Sequence, residues 1–187
     1  EELASKPSDE ISEGCAILTE ELDHCLATFD AMLSLTRIEE GQQTLDLQEL
    51  SLAQLCTDLL DMADAVAESN EQTLSLSLLA DHKVFGDKYL LFQALYNLVD
   101  NAMKYSGQGA RIEIIQSGPQ IQIRDNGPGI PDDSKERVFE RLVRLDPSRH
   151  LQGTGLGLSM VKAILSRHNA KINLTDNHPG LVVTIKF

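Results

Sequence analysis

The chain has 187 residues and a formal net charge of −13, from 29 acidic against 16 basic side chains, and this length accommodates one domain with a sizeable core plus an appendage. Because nonspecific nucleic-acid binding depends on Lys and Arg that neutralise phosphates, we expect no nucleic-acid partner for so acidic a chain. The apolar stretches are only a few residues long, whereas a membrane-spanning helix needs roughly 20, so we expect no membrane contact by this chain.

The first predicted element is a long helix that begins near Ile11 and ends near Gly41. Its apolar residues recur at alternating steps of four and three, and they are Ile11, Cys15, Leu18, Leu22, Cys25, Phe29 and Met32. Such a seam is typical of a coiled coil or a helix bundle, and Leu26, Leu33 and Ile38 widen it toward a bundle. The alternative is an ordinary amphipathic helix that packs on its own domain.

The segment that follows predicts strands in alternation with helices. Ser51 and Asp87 each precede an apolar helical pattern and can cap it by accepting hydrogen bonds from free backbone N–H groups. The expected elements are a short edge strand at residues 45–47, a helix over 52–68, half-buried strands at 74–78 and 84–86, and a helix from residue 88 onward.

The helix after residue 88 carries a polar stripe beside its apolar one. The apolar stripe consists of Leu91, Leu95, Leu98, Ala102 and Tyr105. Asn97, Asn101 and Lys104 share the neighbouring stripe. Two amide oxygens suit a hard cation such as Mg²⁺, and an ammonium beside them suits a phosphate. A solvated surface would carry the same residues, so the stripe alone does not decide between the two.

A hairpin and a glycine-containing turn come next. Strands at residues 111–115 and 121–124 flank a Gly-Pro turn, and the second strand leads directly into Asp125. Gly127 and Gly129 follow, where glycine permits positive φ and close approach of the backbone.

A third motif reads Gly-Thr-Gly-Leu-Gly and opens a helix expected over residues 158–164. Free N–H groups at such a helix start can meet phosphate oxygens, although a motif of this kind is often only a flexible turn. A second hairpin, with strands at residues 171–175 and 181–187, completes the chain. The members of the glycine motif are Gly153, Thr154, Gly155, Leu156 and Gly157.

The order and spacing of the three motifs together resemble the sensor histidine kinases. The similarity is to their ATP-binding domain, whose family includes the gyrase, mismatch-repair and heat-shock chaperone ATPases, and it covers about residues 10–187. Residues 138–149 resemble the family's phenylalanine box, with Leu142 where a second Phe is often found. The resemblance implies an α/β (α+β) two-layer sandwich, with a mixed sheet covered by helices on one face and preceded by a long bundle helix.

The resemblance also implies that the pocket binds ATP with Mg²⁺. Asn97 and Asn101 would hold the metal, and Lys104, Arg144 and Arg149 would contact phosphates. We expect Asn97, Lys104 and Arg144 to act in catalysis. ATP-hydrolysing relatives such as gyrase place a Glu at the position of Asn97, where it activates water as a general base. An amide cannot do so, which favours phosphoryl transfer over hydrolysis.

The adenine end of the pocket follows from the same resemblance. Asp125 would accept a proton of the exocyclic amino group, or else only cap the turn that Gly127 and Gly129 form. Tyr105 would supply an aromatic wall, or else belong to the core. The chain between residues 130 and 153 lacks long regular patterning, and we expect it to fold over bound nucleotide as a lid.

The resemblance divides the chain at residue 42. Residues 1–42 would be the second helix of a dimerisation hairpin, and residues 43–187 the ATP-binding catalytic domain. The implied protein is a homodimeric kinase that transfers the γ-phosphate of ATP to a His on the first hairpin helix, then to an Asp of a response regulator receiver domain. In the family, the acceptor His is usually followed by an acidic residue and, a few positions later, by a Pro, and no His of this chain has these neighbours. The chain also begins without Met. We therefore expect a cytoplasmic fragment of a sensor, commonly membrane-anchored, that lacks its own acceptor. The alternative is a noncatalytic nucleotide-sensing scaffold.

Overall fold

The computed structural model describes residues 6–145 and 154–187, which form a two-layer α/β sandwich with a long helix at its N-terminus. The predicted fold class is confirmed. The elements in chain order are α1 (Lys6–Glu39), β1 (Leu47–Ser51), α2 (Leu52–Ser69), β2 (Thr73–Ala80), β3 (Lys83–Asp87), α3 (Lys88–Ser106), β4 (Arg111–Ser117), β5 (Gln120–Asp125), 3-10 turns at Asp132–Ser134 and Arg137–Phe139, α4 (Gly157–Arg167), β6 (Lys171–Asp176) and β7 (Leu181–Lys186).

Five strands form one mixed sheet in the order β2-β4-β5-β7-β6. The strands β2 and β4 run parallel, and every other neighbouring pair is antiparallel. Both predicted hairpins are therefore present, as β4-β5 and β6-β7. A separate antiparallel ribbon pairs β1 with β3.

The helices α2, α3 and α4 cover one face of the five-stranded sheet. On β4 the residues Ile112 and Ile114 are buried while their neighbours reach the surface, and Ile121 and Ile123 do the same on β5. This alternation is what a sheet with one covered face requires. The core lies between that face and the helices, and the C-terminal half of α3, the start of α4 and the end of β5 meet at one edge of the core.

Side-chain caps fix where the helices begin. Ser51 accepts a hydrogen bond from the Gln54 amide at 3.0 Å, and Asp87 accepts one from the Leu90 amide at 3.1 Å, as predicted. The second carboxylate oxygen of Asp87 accepts from the Asp46 amide at 3.1 Å. Because that amide is bound to a side chain, the first strand begins at Leu47, and the prediction of a strand at residues 45–47 was wrong.

The helix α1 has two different environments along its length. Leu18, Leu22 and Leu26 are 60–65% exposed, so the predicted apolar seam lies outside the core. Leu35 and Ile38 are fully buried against the domain, where α1 contacts α4. The buried end packs on its own domain, as one interpretation expected, and the bundle interpretation of the exposed end stays a prediction. Across the described ranges, no helix combines the length and apolarity needed to cross a bilayer.

Candidate functional site

Two adjoining cavities lie between α3, the turn after β5 and the start of α4. The larger has a volume of about 230 Å³. The two share wall residues, including Asn101, Tyr105 and Val138, so they lie side by side.

The larger cavity is mainly apolar. Leu98, Ile123, Ile130 and Val138 contribute to its walls. Tyr105 is 46% exposed and lines the same cavity, so this side chain belongs to the pocket wall and not to the core. An apolar slot with a few polar groups at its edge suits a flat heteroaromatic base.

Asp125 stands at the end of β5 and supplies a carboxylate to that slot. Its Oδ1 atom accepts hydrogen bonds from the Gly127 amide at 2.9 Å and from the Leu181 amide at 3.2 Å. Both bonds end on Oδ1, and no donor among the described residues reaches Oδ2. Asp125 therefore caps its turn with one oxygen and still presents the other, so the two roles considered for it are compatible.

The turn between β6 and β7 also contacts Asp125. The Asn177 amide group donates to the Asp125 carbonyl at 2.7 Å. A Cβ on Gly180, whose φ is +111°, would lie 1.9 Å from that same carbonyl oxygen. Only glycine permits so close an approach. Sequence reasoning identified this segment as a turn and missed its contact with Asp125, because nothing in the spacing indicates it.

The glycines after Asp125 also allow tight contacts. A Cβ on Gly127 would lie 2.8 Å from the Ser106 hydroxyl, and one on Gly129, at φ +72°, would lie 3.0 Å from the Gly180 carbonyl. The turn is consequently packed between the end of α3 and the β6-β7 turn. This packing fixes the floor beneath the slot.

The smaller cavity is polar, and α3 provides one side of it. Asn97, Asp100, Asn101 and Lys104 fall at positions i, i+3, i+4 and i+7 and all line it. The Lys104 ammonium lies 2.6 Å from the Asp100 carboxylate. The predicted polar stripe thus faces a cavity, and it contains a carboxylate that the sequence analysis did not select.

The start of α4 provides the opposite side. The Leu156 amide donates to the Thr154 hydroxyl at 3.3 Å, and among the described residues no side chain caps the helix amides that follow, so these amides are available at the cavity. The space next to Gly157, where a Cβ would stand, is 3.8 Å from the Asn101 amide nitrogen and 4.0 Å from the Asn97 amide oxygen. The uncapped helix start and the asparagine stripe therefore face each other.

A backbone contact joins the phenylalanine-box segment to the glycine motif. The Leu142 amide donates to the Gly155 carbonyl at 3.0 Å. Leu142 has φ +61° and Gly155 has φ +69°, and a Cβ on Gly155 would lie 3.0 Å from the Leu142 backbone. This contact ties the segment expected to form the lid to the glycine motif.

The structure brings most of the predicted site residues together. Gly127 lines neither cavity. The Leu156 side chain is buried in the core, so this residue can offer only its backbone. Arg144 lines the larger cavity and not the smaller one. Arg149 and Gly153 lie outside the described residues. The predicted residues that line one or both cavities are Asn97, Asn101, Lys104, Tyr105, Asp125, Gly129, Arg144, Thr154, Gly155 and Gly157.

The sequence of this chain is similar to a known protein family and to known proteins. A family model described as histidine kinase-, DNA gyrase B- and HSP90-like ATPase matches residues 86–187. The sensor-like histidine kinase SenX3 of Mycolicibacterium smegmatis is 32% identical over 155 residues, which are 80% of this chain and 40% of that protein. The sensor histidine kinase HprS of Escherichia coli is 34% identical over 171 residues, 89% of this chain and 37% of that protein. The chain spans about two fifths of the length of these relatives.

Solved structures agree with the sequence comparison. The catalytic domain of the histidine kinase ThkA superposes with a TM-score of 0.67 at 25% identity, over 76% of this chain and 97% of that chain. ThkA in complex with the response regulator protein TrrA shows the same fold, with a TM-score of 0.73 at 21% identity over 100% of this chain and 52% of that one. The chain therefore belongs to the family of histidine kinase-, DNA gyrase B- and HSP90-like ATPases, as an ATP-binding catalytic domain of the sensor histidine kinase type.

Proposed function

We propose that this chain binds ATP with Mg²⁺ and donates the γ-phosphate to a histidine that lies outside it. One observation carries the proposal. The Asp125 carboxylate, the polar stripe of α3 and the uncapped start of α4 converge on two adjoining cavities, one mainly apolar and the other polar. Adenine and a triphosphate need those two environments side by side.

Adenine would occupy the larger cavity. The Oδ2 atom of Asp125 would accept a proton of the exocyclic amino group, while Tyr105 and Val138 contribute wall surface to the base. Guanine carries a carbonyl at the same position and would place one acceptor against another. This contact favours ATP over GTP.

The triphosphate would occupy the smaller cavity. The amides of Asn97 and Asn101 approach the start of α4 from the opposite wall. Amide oxygens are ligands that Mg²⁺ accepts, so the donor set fits the metal that ATP brings with it. When bound, Mg²⁺ would reduce the negative charge on the phosphates. Lys104 and the backbone amides of α4 would stabilise the remaining charge as the bond to the γ-phosphate breaks.

Asn97 favours transfer over hydrolysis. A general base has to take a proton from an attacking water, and an amide at this position cannot do that. The nucleophile we propose is the neutral imidazole of a histidine, which attacks through a lone pair and has no proton to lose at that nitrogen. The phosphate moves from ATP to the imidazole, and ADP is the leaving group.

The partners follow from the exposed seam of α1. Leu18, Leu22 and Phe29 are at least 60% exposed, and we propose that a second copy of the protein covers them. The phosphohistidine would then pass its phosphate to an Asp of a response regulator, the class of protein with which ThkA was solved. We place this chemistry in the cytoplasm, where ATP is available.

A phosphorylation assay tests the proposal. A longer version of the protein, with a histidine-bearing helix upstream of α1, is incubated with γ-labelled ATP. We expect acid-labile label on the protein, and we expect Asn101→Ala to lose it. Equal labelling of Asn101→Ala would refute the metal role. Saturable ATP binding without any labelled protein would instead support a nucleotide-sensing scaffold, and rapid phosphate release by the 187-residue chain alone would support hydrolysis.

A further inference from the structure

We propose that Asp100 makes the phosphate end of the pocket selective for Mg²⁺-bound ATP over free ATP. This inference rests on the proposed function and adds a residue to it. The sequence pattern alone does not distinguish Asp100, because an acidic residue on a helix face is usually solvated. Its position in the structure is different from that of a solvated surface residue.

Asp100 lies inside the polar stripe of α3. It follows Asn97 by three residues, directly precedes Asn101 and is four residues before Lys104, and all four line the smaller cavity. Its carboxylate lies 2.6 Å from the Lys104 ammonium, and the side chain is 28% exposed. The carboxylate is therefore partly withdrawn from solvent at the place proposed for the phosphates.

The charges of the smaller cavity balance each other. Among the described residues that line it, Asp100 and Lys104 carry the formal charges, one of each sign. A free triphosphate would thus approach an ammonium that a carboxylate already neutralises, and it would also approach the carboxylate itself. With Mg²⁺ bound to the phosphates, the nucleotide carries less negative charge, and a cation then stands near the carboxylate. The same residue opposes one form of the substrate and favours the other.

The ion pair between Asp100 and Lys104 contributes too little to the stability of α3 to be explained by it. An acidic residue four positions before a Lys contributes little to a helix, and the Lys104 side chain is 42% exposed. Because the pair adds little to folding, Asp100→Asn should remain folded. This variant keeps the size of the side chain and removes the charge, so it isolates the electrostatic effect on nucleotide binding.

The test is calorimetric titration of the 187-residue chain with ATP at fixed ionic strength, once in excess Mg²⁺ and once in EDTA. We expect the wild-type chain to bind the Mg²⁺ form more tightly. We expect Asp100→Asn to tighten binding of free ATP about tenfold, equivalent to about 1.4 kcal/mol, with a much smaller change for the Mg²⁺ form. Asp58→Asn is the matched control: that carboxylate is 31% exposed, pairs with Lys88 at 2.9 Å and lines neither cavity.

Each outcome supports or overturns the inference. An equal gain for both forms of ATP would mean that Asp100 only withdraws Lys104 from phosphates, and would overturn the selectivity. An Asp100→Asn variant that binds both forms as the wild-type chain does would overturn the selectivity as well. If the wild-type chain binds neither form, the proposed function fails and the inference with it. Asp100→Ala, which has no amide that could bind metal, should change the ratio in the same direction, and an opposite change would contradict the charge argument.

Discussion

Replacing Asp125 with Asn should invert the hydrogen-bonding character of the adenine site without changing its shape. Oδ1 of Asp125 accepts from two backbone amides, of Gly127 at 2.9 Å and of Leu181 at 3.2 Å. An Asn at this position has to keep its oxygen there to satisfy both donors. Its NH₂ group is then forced to the position of Oδ2. A donor would face the exocyclic amino group of adenine, which is itself a donor.

The size of the effect follows from the bond that is lost. A hydrogen bond to a charged group contributes about 1.5–3 kcal/mol, so Asp125→Asn should weaken ATP binding by roughly 10- to 150-fold. The NH₂ group can donate to the carbonyl of guanine, so the preference for ATP over GTP should shrink or reverse. Dissociation constants for both nucleotides, measured by competition against a fluorescent ATP analogue, give the result.

Two controls separate recognition from folding. Asp58→Asn changes the same chemical group on the surface and should leave both dissociation constants unchanged. Asp125→Ala leaves the Gly127 and Leu181 amides without their acceptor, so it should lower the melting temperature more than Asp125→Asn does. An Asp125→Asn chain that binds ATP as tightly as wild type and still rejects GTP would refute the assignment of adenine to this cavity.

Three further predictions follow from packing. Gly180→Ala places a Cβ 1.9 Å from the Asp125 carbonyl oxygen. The variant should lose about 1–3 kcal/mol of unfolding free energy in urea titrations and bind ATP more weakly. An unaffected variant would show that the turn does not support the carboxylate. Burial raises the pKa of the Cys56 thiol to about 12. At pH 8 a thiol reagent should therefore label the two cysteines on α1 and label Cys56 only after denaturation. Prompt labelling of all three cysteines would contradict the packing. Leu22→Glu should leave the melting temperature of this chain unchanged, because Leu22 is 62% exposed. In the longer protein the same change should abolish the dimer seen by sedimentation. A dimer that persists would place the interface elsewhere.

Local signals in the sequence predicted most of the elements. Ser51 and Asp87 accept the hydrogen bonds expected of helix caps. The helix α1 ends near Gly41, which has φ +69°, as its position in the pattern predicted. Each of these features depends on a few neighbouring residues, which is why sequence alone suffices.

The errors arose where a distant residue decides the local structure. The apolar alternation at residues 45–47 predicted a strand, but the Asp46 amide binds the Asp87 side chain, 41 positions away, and the strand begins at Leu47, two residues later than predicted. The alternatives for α1 could not be separated for a similar reason. Its apolar residues follow one pattern, and only the position of α4 determines which of them are buried.

The candidate site shows the same division. The three motifs predicted the residues that line the cavities, because each motif is contiguous and has a backbone requirement of its own. The support for Asp125 from Asn177, Gly180 and Leu181 was missed, since those residues lie more than 50 positions later and look like an ordinary turn. Asp100 was missed because its charge gains meaning only from the cavity that it faces. The nucleotide contacts of all these residues stay predictions, and Arg149 and Gly153 also lie outside the described residues.

The location of bound nucleotide is the most direct test of the account. In a 20.6 kDa chain, amide chemical shifts can be followed by NMR during titration with a nonhydrolysable ATP analogue and Mg²⁺. We predict saturable shifts concentrated at residues 97–105, 125–130 and 154–158, with the β1-β3 ribbon unaffected. An absence of shifts at saturating analogue, or shifts centred away from these three segments, would contradict the assignment of the two cavities to ATP.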